Sequence, residues 1–158
     1  MVLFYILYNK FMSNNKIIAV NKKAKHDYQT SDVLEVGIKL FGPEVKSIKE
    51  GSVSLKESFV KIENEEIFIK NLHVSSYKFS RQDDYNPVRD RKLLANKKEI
   101  RKLMGETTQK GLTIVPLKIY LKNGKIKLEI ALAKGKKKWD KRESIKKKQL
   151  NREHRSLT

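Results

Sequence analysis

The 158-residue chain contains no cysteine, which excludes a disulfide framework, cysteine-ligated zinc and thiol nucleophiles, and fits a reducing compartment. Histidine is nearly as scarce, and His26, His73 and His154 lie in three separate segments. No G-x-S-x-G, no H-E-x-x-H and no phosphate-cradling glycine motif occurs. No catalytic residue, metal site or cofactor is therefore expected. Apolar runs are short as well, far below the ~20 residues that span a bilayer, so no membrane partner is expected. Acidic residues are the last shortage: 18 Asp and Glu stand against 36 Lys and Arg, giving a net charge of +18 and a pI near 10.0. That excess repels itself unless a polyanion neutralises it, and the polyanion expected here is nucleic acid.

Hydrophobic residues make up 39% of the chain, enough for one globular domain that buries roughly 70% of the surface exposed by its unfolded form. Residues 1–12, MVLFYILYNKFM, superficially resemble a secretory signal. The basic residue follows the apolar run instead of preceding it, and no small-residue cleavage site appears. Met12-Ser13-Asn14-Asn15 reads as an ordinary cytosolic start, with residues 1–11 an upstream extension. Residues 1–20 are expected to lie outside the fold, and the location to be cytoplasmic.

From residue 33 to 40, Leu34, Val36, Ile38 and Leu40 alternate with Glu35, Gly37 and Lys39, the period of a half-buried strand. Gly42-Pro43-Glu44 opens a short helix over residues 43–50, with proline in the first turn and Gly51 ready to end it. Residues 58–70 read as a hairpin turning at Asn64-Glu65. Residues 77–90 have no period, mix charges and contain Pro87, so they read as a long exposed loop. Asn96-Lys97-Lys98-Glu99 has the form of a capping box, starting a helix over 97–104 with Gly105 and Gly111 as candidate stops. Two alternating runs flank Asn123-Gly124: Val115, Leu117, Ile119 and Leu121 before it, then Ile126, Leu128, Ile130 and Leu132. Asn-Gly between such runs is a two-residue hairpin. Residues 134–158 hold eleven Lys and Arg against three Asp and Glu, with Trp139, Ile145, Leu150 and Leu157 too sparse to bury a face. The expected class is mainly β with small helices: an antiparallel β-barrel of the oligonucleotide-binding type over residues 21–134, plus a basic C-terminal tail over 135–158 that is disordered when free.

Two segments join cations to rings: Asn21-Lys22-Lys23-Ala24-Lys25-His26-Asp27-Tyr28, and Lys134-Gly135-Lys136-Lys137-Lys138-Trp139-Asp140-Lys141-Arg142. Such pairings suit RNA, because cations hold phosphates while rings stack on unpaired bases. The first is equally readable as a solvated basic arm. The first of these segments, Gly42-Pro43-Glu44-Val45-Lys46-Ser47, Asn86-Pro87-Val88-Arg89-Asp90-Arg91-Lys92-Leu93-Leu94, and Ala133-Lys134-Gly135-Lys136-Lys137 followed by Asp140-Lys141-Arg142 form four ordered blocks. In that order the blocks resemble the small protein B family, the SsrA-binding proteins of bacteria, over about residues 21–155.

The resemblance implies a non-enzymatic adaptor of trans-translation. Such a protein binds the tRNA-like domain of transfer-messenger RNA and delivers it, with elongation factor Tu and GTP, to stalled ribosomes. Its tail then meets small-subunit ribosomal RNA at the decoding centre and the empty message channel. A monomer is expected. Carried onto this chain, the RNA-facing barrel positions are Asn21, Lys22, Lys23, His26, Glu35, Lys46, Leu94 and Asn96. The tail positions are Lys136, Lys137, Trp139, Asp140, Lys141 and Arg142; Trp139 stands where the family pattern has histidine or tyrosine. Residue chemistry alone leaves other readings open: Asn96 as a helix N-cap, Leu94 as core, Glu35 neutralising a lysine across the sheet, Lys46 merely solvated. The alternative at the level of function is a general ribosomal or single-stranded RNA-binding protein.

Overall fold

The computed structural model describes residues 15–80, 84–136, 145, 147, 149, 150 and 152. Nine strands and three helices are described: β1 (Lys16–Val20), α1 (Lys22–Asp27), β2 (Tyr28–Ile38), α2 (Gly42–Lys49), β3 (Val53–Ser54), β4 (Phe59–Glu63), β5 (Glu66–Lys70), β6 (His73–Val74), β7 (Arg91–Leu94), α3 (Lys97–Lys110), β8 (Thr113–Lys122) and β9 (Lys125–Gly135). Seven strands form one sheet in the order β1-β8-β4-β5-β7-β2-β9, with β8 also pairing β9, and every pairing in it is antiparallel. β3 and β6 make a separate two-stranded pair. Residues 145, 147, 149, 150 and 152 of the tail are helical and exposed.

Both hairpins turn where expected. Asn64 and Glu65, and then Asn123 and Gly124, take positive φ at the two central positions, the geometry whose twist matches flanking strands. α2 starts at Gly42, and Gly51, at φ +84°, stands just beyond its C-cap, Glu50. α3 runs straight through Gly105 and stops only at Gly111, which sits in the left-handed region at φ +60°. A lone glycine inside a helix costs only about 1 kcal/mol relative to alanine, so Ile100 and Leu103, both buried, hold the segment helical. Glu99 accepts the Asn96 backbone N–H at 2.8 Å and so completes half of the expected box.

The fold also reaches back past the expected boundary at residue 21, because Lys16–Val20 pairs with β8. A five-residue strand with only half-buried Ile18 and Ala19 carries too little alternation to announce itself. β2 likewise starts at Tyr28, five residues before its apolar alternation begins. Its polar first half is held by the ladder to β9 and bulges at Asp32, whose φ is +45°.

The main core gathers Val36 and Ile38 from β2, Ile48 from α2, Ile67 and Ile69 from β5, Leu93 from β7, Ile119 from β8, and Leu128, Ile130 and Leu132 from β9. A smaller cluster on the other side of β8 and β9 holds Val115, Leu117, Ala131 and Ala133 under Ala24 of α1. The β8 residues read as one face, Val115 to Leu121, are therefore divided between two cores. A register shift between Pro116 and Lys118 inserts one extra residue, and a single-residue shift sends every later side chain to the opposite face.

Asn21 ties this bulge to α1. Its backbone N–H donates to the Leu117 carbonyl at 2.8 Å, its Nδ2 donates to the Pro116 carbonyl at 3.0 Å, and its Oδ1 accepts the Ala24 N–H at 3.0 Å as the helix N-cap. The side chain is buried. Asn21→Ala is expected to lower stability by about 2 kcal/mol, combining a lost cap with an orphaned buried carbonyl, as read from the shift in urea midpoint. A change under ~0.5 kcal/mol would show that the bulge holds without it.

Candidate nucleic-acid interface

The barrel positions named from sequence fall into three places. Lys22, Lys23 and His26 share α1. Lys22 and Lys23 are exposed and His26 is half-buried, its Nδ1 2.9 Å from the Asp27 carboxylate. Asn21, beside them, is spent on the fold. Two shallow depressions flank this helix, one with Lys56, Glu57 and Phe59 on its rim, the other with Val53, Ser54 and Lys56. Lys23 pairs with Glu57 at 3.5 Å, an exposed contact worth little against salt. The tail begins here as well. Lys136 donates its backbone N–H to the Asp27 carbonyl at 2.9 Å and its Nζ to the Lys25 carbonyl at 3.3 Å. Lys137, Trp139, Asp140, Lys141 and Arg142 lie outside the described residues.

Glu35, Leu94 and Asn96, separated by 61 positions in sequence, line one open cleft of about 460 Å³ between β2, β7 and the start of α3. The β2–β7 ladder makes the junction by pairing Gly37 with Leu94. A Cβ on Gly37 would come within 3.2 Å of the Leu94 Cβ, so glycine leaves room for Leu94 to lie over the strand. Leu94 is not core: it is 55% exposed, an uncovered leucine in a polar cleft. Asn96 is exposed too. Three lysines, Lys92, Lys97 and Lys127, and four glutamates, Glu35, Glu65, Glu66 and Glu99, line the cleft, so it is close to charge balance on a strongly cationic protein.

Glu35 meets a lysine across the sheet, as one of the two readings requires, but it also holds a phenol. The Tyr120 hydroxyl donates to it, and the Lys122 ammonium lies 3.0 Å from both carboxylate oxygens. The Tyr120 bond is the main reason its carboxyl sits below the ordinary value, with the charges of Lys122 and Lys127 adding to it. Burial, and then the same bond, push the Tyr120 phenol up. Glu35 is thus ionised near neutrality and fixed in direction. Three of its roughly four acceptor positions are filled, and the residue lines the cleft.

Lys46 stands apart on α2, its Nζ 5.2 Å from the Tyr77 ring centroid. α1 and the cleft lie toward opposite ends of β2: seven residues separate Tyr28 from Glu35, a span of about 23 Å at strand rise.

What holds α2 to the segment before β7 is not visible from periodicity. The Glu44 carboxylate, 1% exposed, accepts from Arg89 Nε at 2.9 Å, from Arg91 Nε at 3.0 Å and Nη2 at 2.8 Å, and from the Phe41 N–H at 2.8 Å. Arg91, fully buried, also donates to the carbonyls of Leu72, Arg89 and Pro87. Tyr85 donates to the Val74 carbonyl at 2.9 Å. The expected exposed loop over residues 77–90 is therefore pinned at its C-terminal half. Two of the sequence blocks, 42–47 and 86–94, meet in this one buried ion network. Glu44 and Arg91 were the signal, as a carboxylate and a guanidinium in otherwise unrelated blocks, but nothing in the sequence paired them across 47 positions.

Among the described residues, no group of three or more His, Asp or Glu could hold a metal ion, and no helix is long and apolar enough to cross a membrane. The arrangement defines a small, basic, mainly β protein with a charge-balanced cleft and a cationic end. The profile of the SmpB protein family matches residues 18–158. The SsrA-binding protein of Persephonella marina is 55% identical over 138 residues, covering 87% of this chain and 91% of that protein. The SsrA-binding protein of Halothermothrix orenii is 54% identical over 142 residues, covering 90% and 92%. A chain from a solved structure described as "tmRNA-SmpB: a journey to the center of the bacterial ribosome" superposes with a TM-score of 0.63 at 43% identity, over 76% of this chain and 85% of that one. The chain belongs to the SmpB family.

Proposed function

We propose that this chain is an RNA-binding adaptor of trans-translation in the cytoplasm: it holds the tRNA-like domain of transfer-messenger RNA, with elongation factor Tu and GTP, and brings it to stalled ribosomes. The observation that carries the reading is the 43% identity with a chain from a structure of transfer-messenger RNA and SmpB on the bacterial ribosome. The chain acts as a monomer on a barrel of the oligonucleotide-binding type. Support for a closed sheet comes from the β8–β9 pairing, which returns the strand order to its second member.

Physical chemistry assigns the two surfaces different work. Exposed lysines of α1 locate phosphates, a contact that carries no sequence or shape information by itself. The cleft has too little net charge to attract RNA, so its contribution is selectivity. Leu94 offers an apolar contact, Asn96 both donor and acceptor, and Glu35 one oriented acceptor for a base or sugar donor. In this reading the tail, from Lys136 through Lys137, Trp139, Asp140, Lys141 and Arg142, reaches the decoding centre and the vacant message channel.

The test is competition at moderate salt. Transfer-messenger RNA is expected to displace bulk tRNA from the full chain with at least a tenfold advantage, about 1.4 kcal/mol, that persists as salt is raised. Equal affinities throughout a salt titration would defeat the adaptor reading and favour a general ribosomal or single-stranded RNA-binding protein, which would sediment with ribosomes in the absence of transfer-messenger RNA.

A further inference from the structure

Beyond α1 and the cleft, one surface combines rings and cations without serving the fold. Val74 is fully buried, yet Tyr77 is only half-buried and Phe79 is 75% exposed, the most exposed large apolar side chain described. The two rings meet edge to face, centroids 5.5 Å apart and planes at 67°. Lys46 Nζ sits 5.2 Å from the Tyr77 centroid and Lys78 Nζ 5.1 Å from that of Phe79. The main chain under the rings is fixed: the Ser75 N–H donates to the Ser52 carbonyl at 3.0 Å, and the Ser80 N–H to the Tyr77 carbonyl at 2.9 Å. Phe41, by contrast, carries the Arg89 guanidinium 4.1 Å from its centroid, and Arg89 is itself locked on Glu44, so that ring is already engaged.

We propose that Tyr77 and Phe79, flanked by Lys46 and Lys78, form a stacking platform for unpaired nucleotides, separate from the cleft. The proposal rests on the adaptor reading only in taking RNA as the partner. Three features select that occupant. The Phe79 ring stays 75% exposed despite its contacts with Tyr77 and Lys78, and a base has a π-face of matching size to cover it. The ammonium groups lie 5.2 and 5.1 Å from the two ring centroids, close enough to meet the phosphates of a stacked strand, and their sign matches a polyanion and the chain's net charge of +18. Finally, the edge-to-face contact with Tyr77 steadies Phe79 while the side chain stays 75% exposed and so accessible to a ligand. Lys46 thereby acquires a defined companion in Tyr77, which neither charge nor helix position suggested.

Affinity for an oligouridylate of about ten nucleotides, followed through a salt series with the full chain, separates the possibilities. Phe79→Leu keeps an apolar side chain and removes the ring; it is expected to weaken binding about five- to tenfold with the slope of log K against log salt unchanged. Phe79→Trp should bind at least as well as the native chain. Lys46→Ala should weaken binding and reduce the salt slope by about one, as loss of a phosphate contact does. Because Phe79 touches no core, thermal midpoints should agree for all three. Native affinity in Phe79→Leu would overturn the platform. So would lost binding to whole ribosomes with oligouridylate affinity intact, which would assign these rings to a protein surface. A chain that fails to prefer transfer-messenger RNA over tRNA, yet loses oligouridylate on Phe79→Leu, would sink the adaptor reading and leave the platform standing.

Discussion

Glu44→Gln is expected to destabilise the fold by about 3–5 kcal/mol in urea denaturation at neutral pH, since it strands the fully buried Arg91 guanidinium without a counter-charge. Glutamine keeps the volume but turns an amide donor toward two guanidinium groups. Arg89→Ala should cost less, because Arg89 is partly exposed and water can replace it. The same network sets an acid limit. Burial alone would raise the Glu44 pKa, but hydrogen bonds from Arg89 and the Phe41 N–H, with the charge of Arg91, outweigh it and hold the carboxyl below its ordinary 4.5. A depressed folded-state value stabilises fully above the unfolded value and is lost as pH falls through the folded one. Stability of the native chain should therefore decline below about pH 4.5, and Glu44→Gln should flatten that decline. The flattening will be partial, because Glu35 is lowered as well. A penalty under ~1 kcal/mol with an unchanged acid limb would mean that the network is dispensable.

Truncation of the tail should give the other large effect. A chain ending at Lys136 is expected to bind transfer-messenger RNA within about threefold of the native protein while peptide tagging on stalled ribosomes falls to background. Lys136 is retained because its backbone N–H and ammonium both bond to carbonyls of α1, so a cut before it would disturb the very helix whose binding is measured. More than tenfold loss of RNA affinity, about 1.4 kcal/mol, would place recognition in the tail. Normal tagging by the shortened chain would remove the tail from the mechanism.

The parts of this architecture that were legible from sequence are those that local chemistry decides. Asn123-Gly124 between two alternating runs, Pro43 at a helix start and Glu99 three residues after Asn96 each act within a few positions. Interactions made at long range were illegible. α1 hides in a lysine run because its stability comes from Ala24 packing under β8 and β9 and from the Asn21 side chain reaching a carbonyl 95 positions away. The polar start of β2 is a strand only because β9 pairs with it. The Pro116 bulge reassigns Val115 and Leu117 to a second core, which alternation cannot foresee. The family resemblance named Glu35, Leu94 and Asn96 without indicating that one cleft unites them, and it named Asn21 without revealing that its polar atoms face inward. Tyr77 and Phe79 lay in a segment read simply as loop, where a period-free stretch gives no clue that two rings meet.

The anchoring of Lys136 on α1 has a geometric corollary. Six peptide links separate it from Arg142, and a chain advances at most about 3.3–3.6 Å per residue, so every side-chain root from Lys137 to Arg142 starts within roughly 20 Å of that knot. Whatever binds α1 would consequently lie within a bounded distance of those backbone positions. In the proposed function, covalent length alone would therefore hold the partner met by these positions close to the partner met by α1.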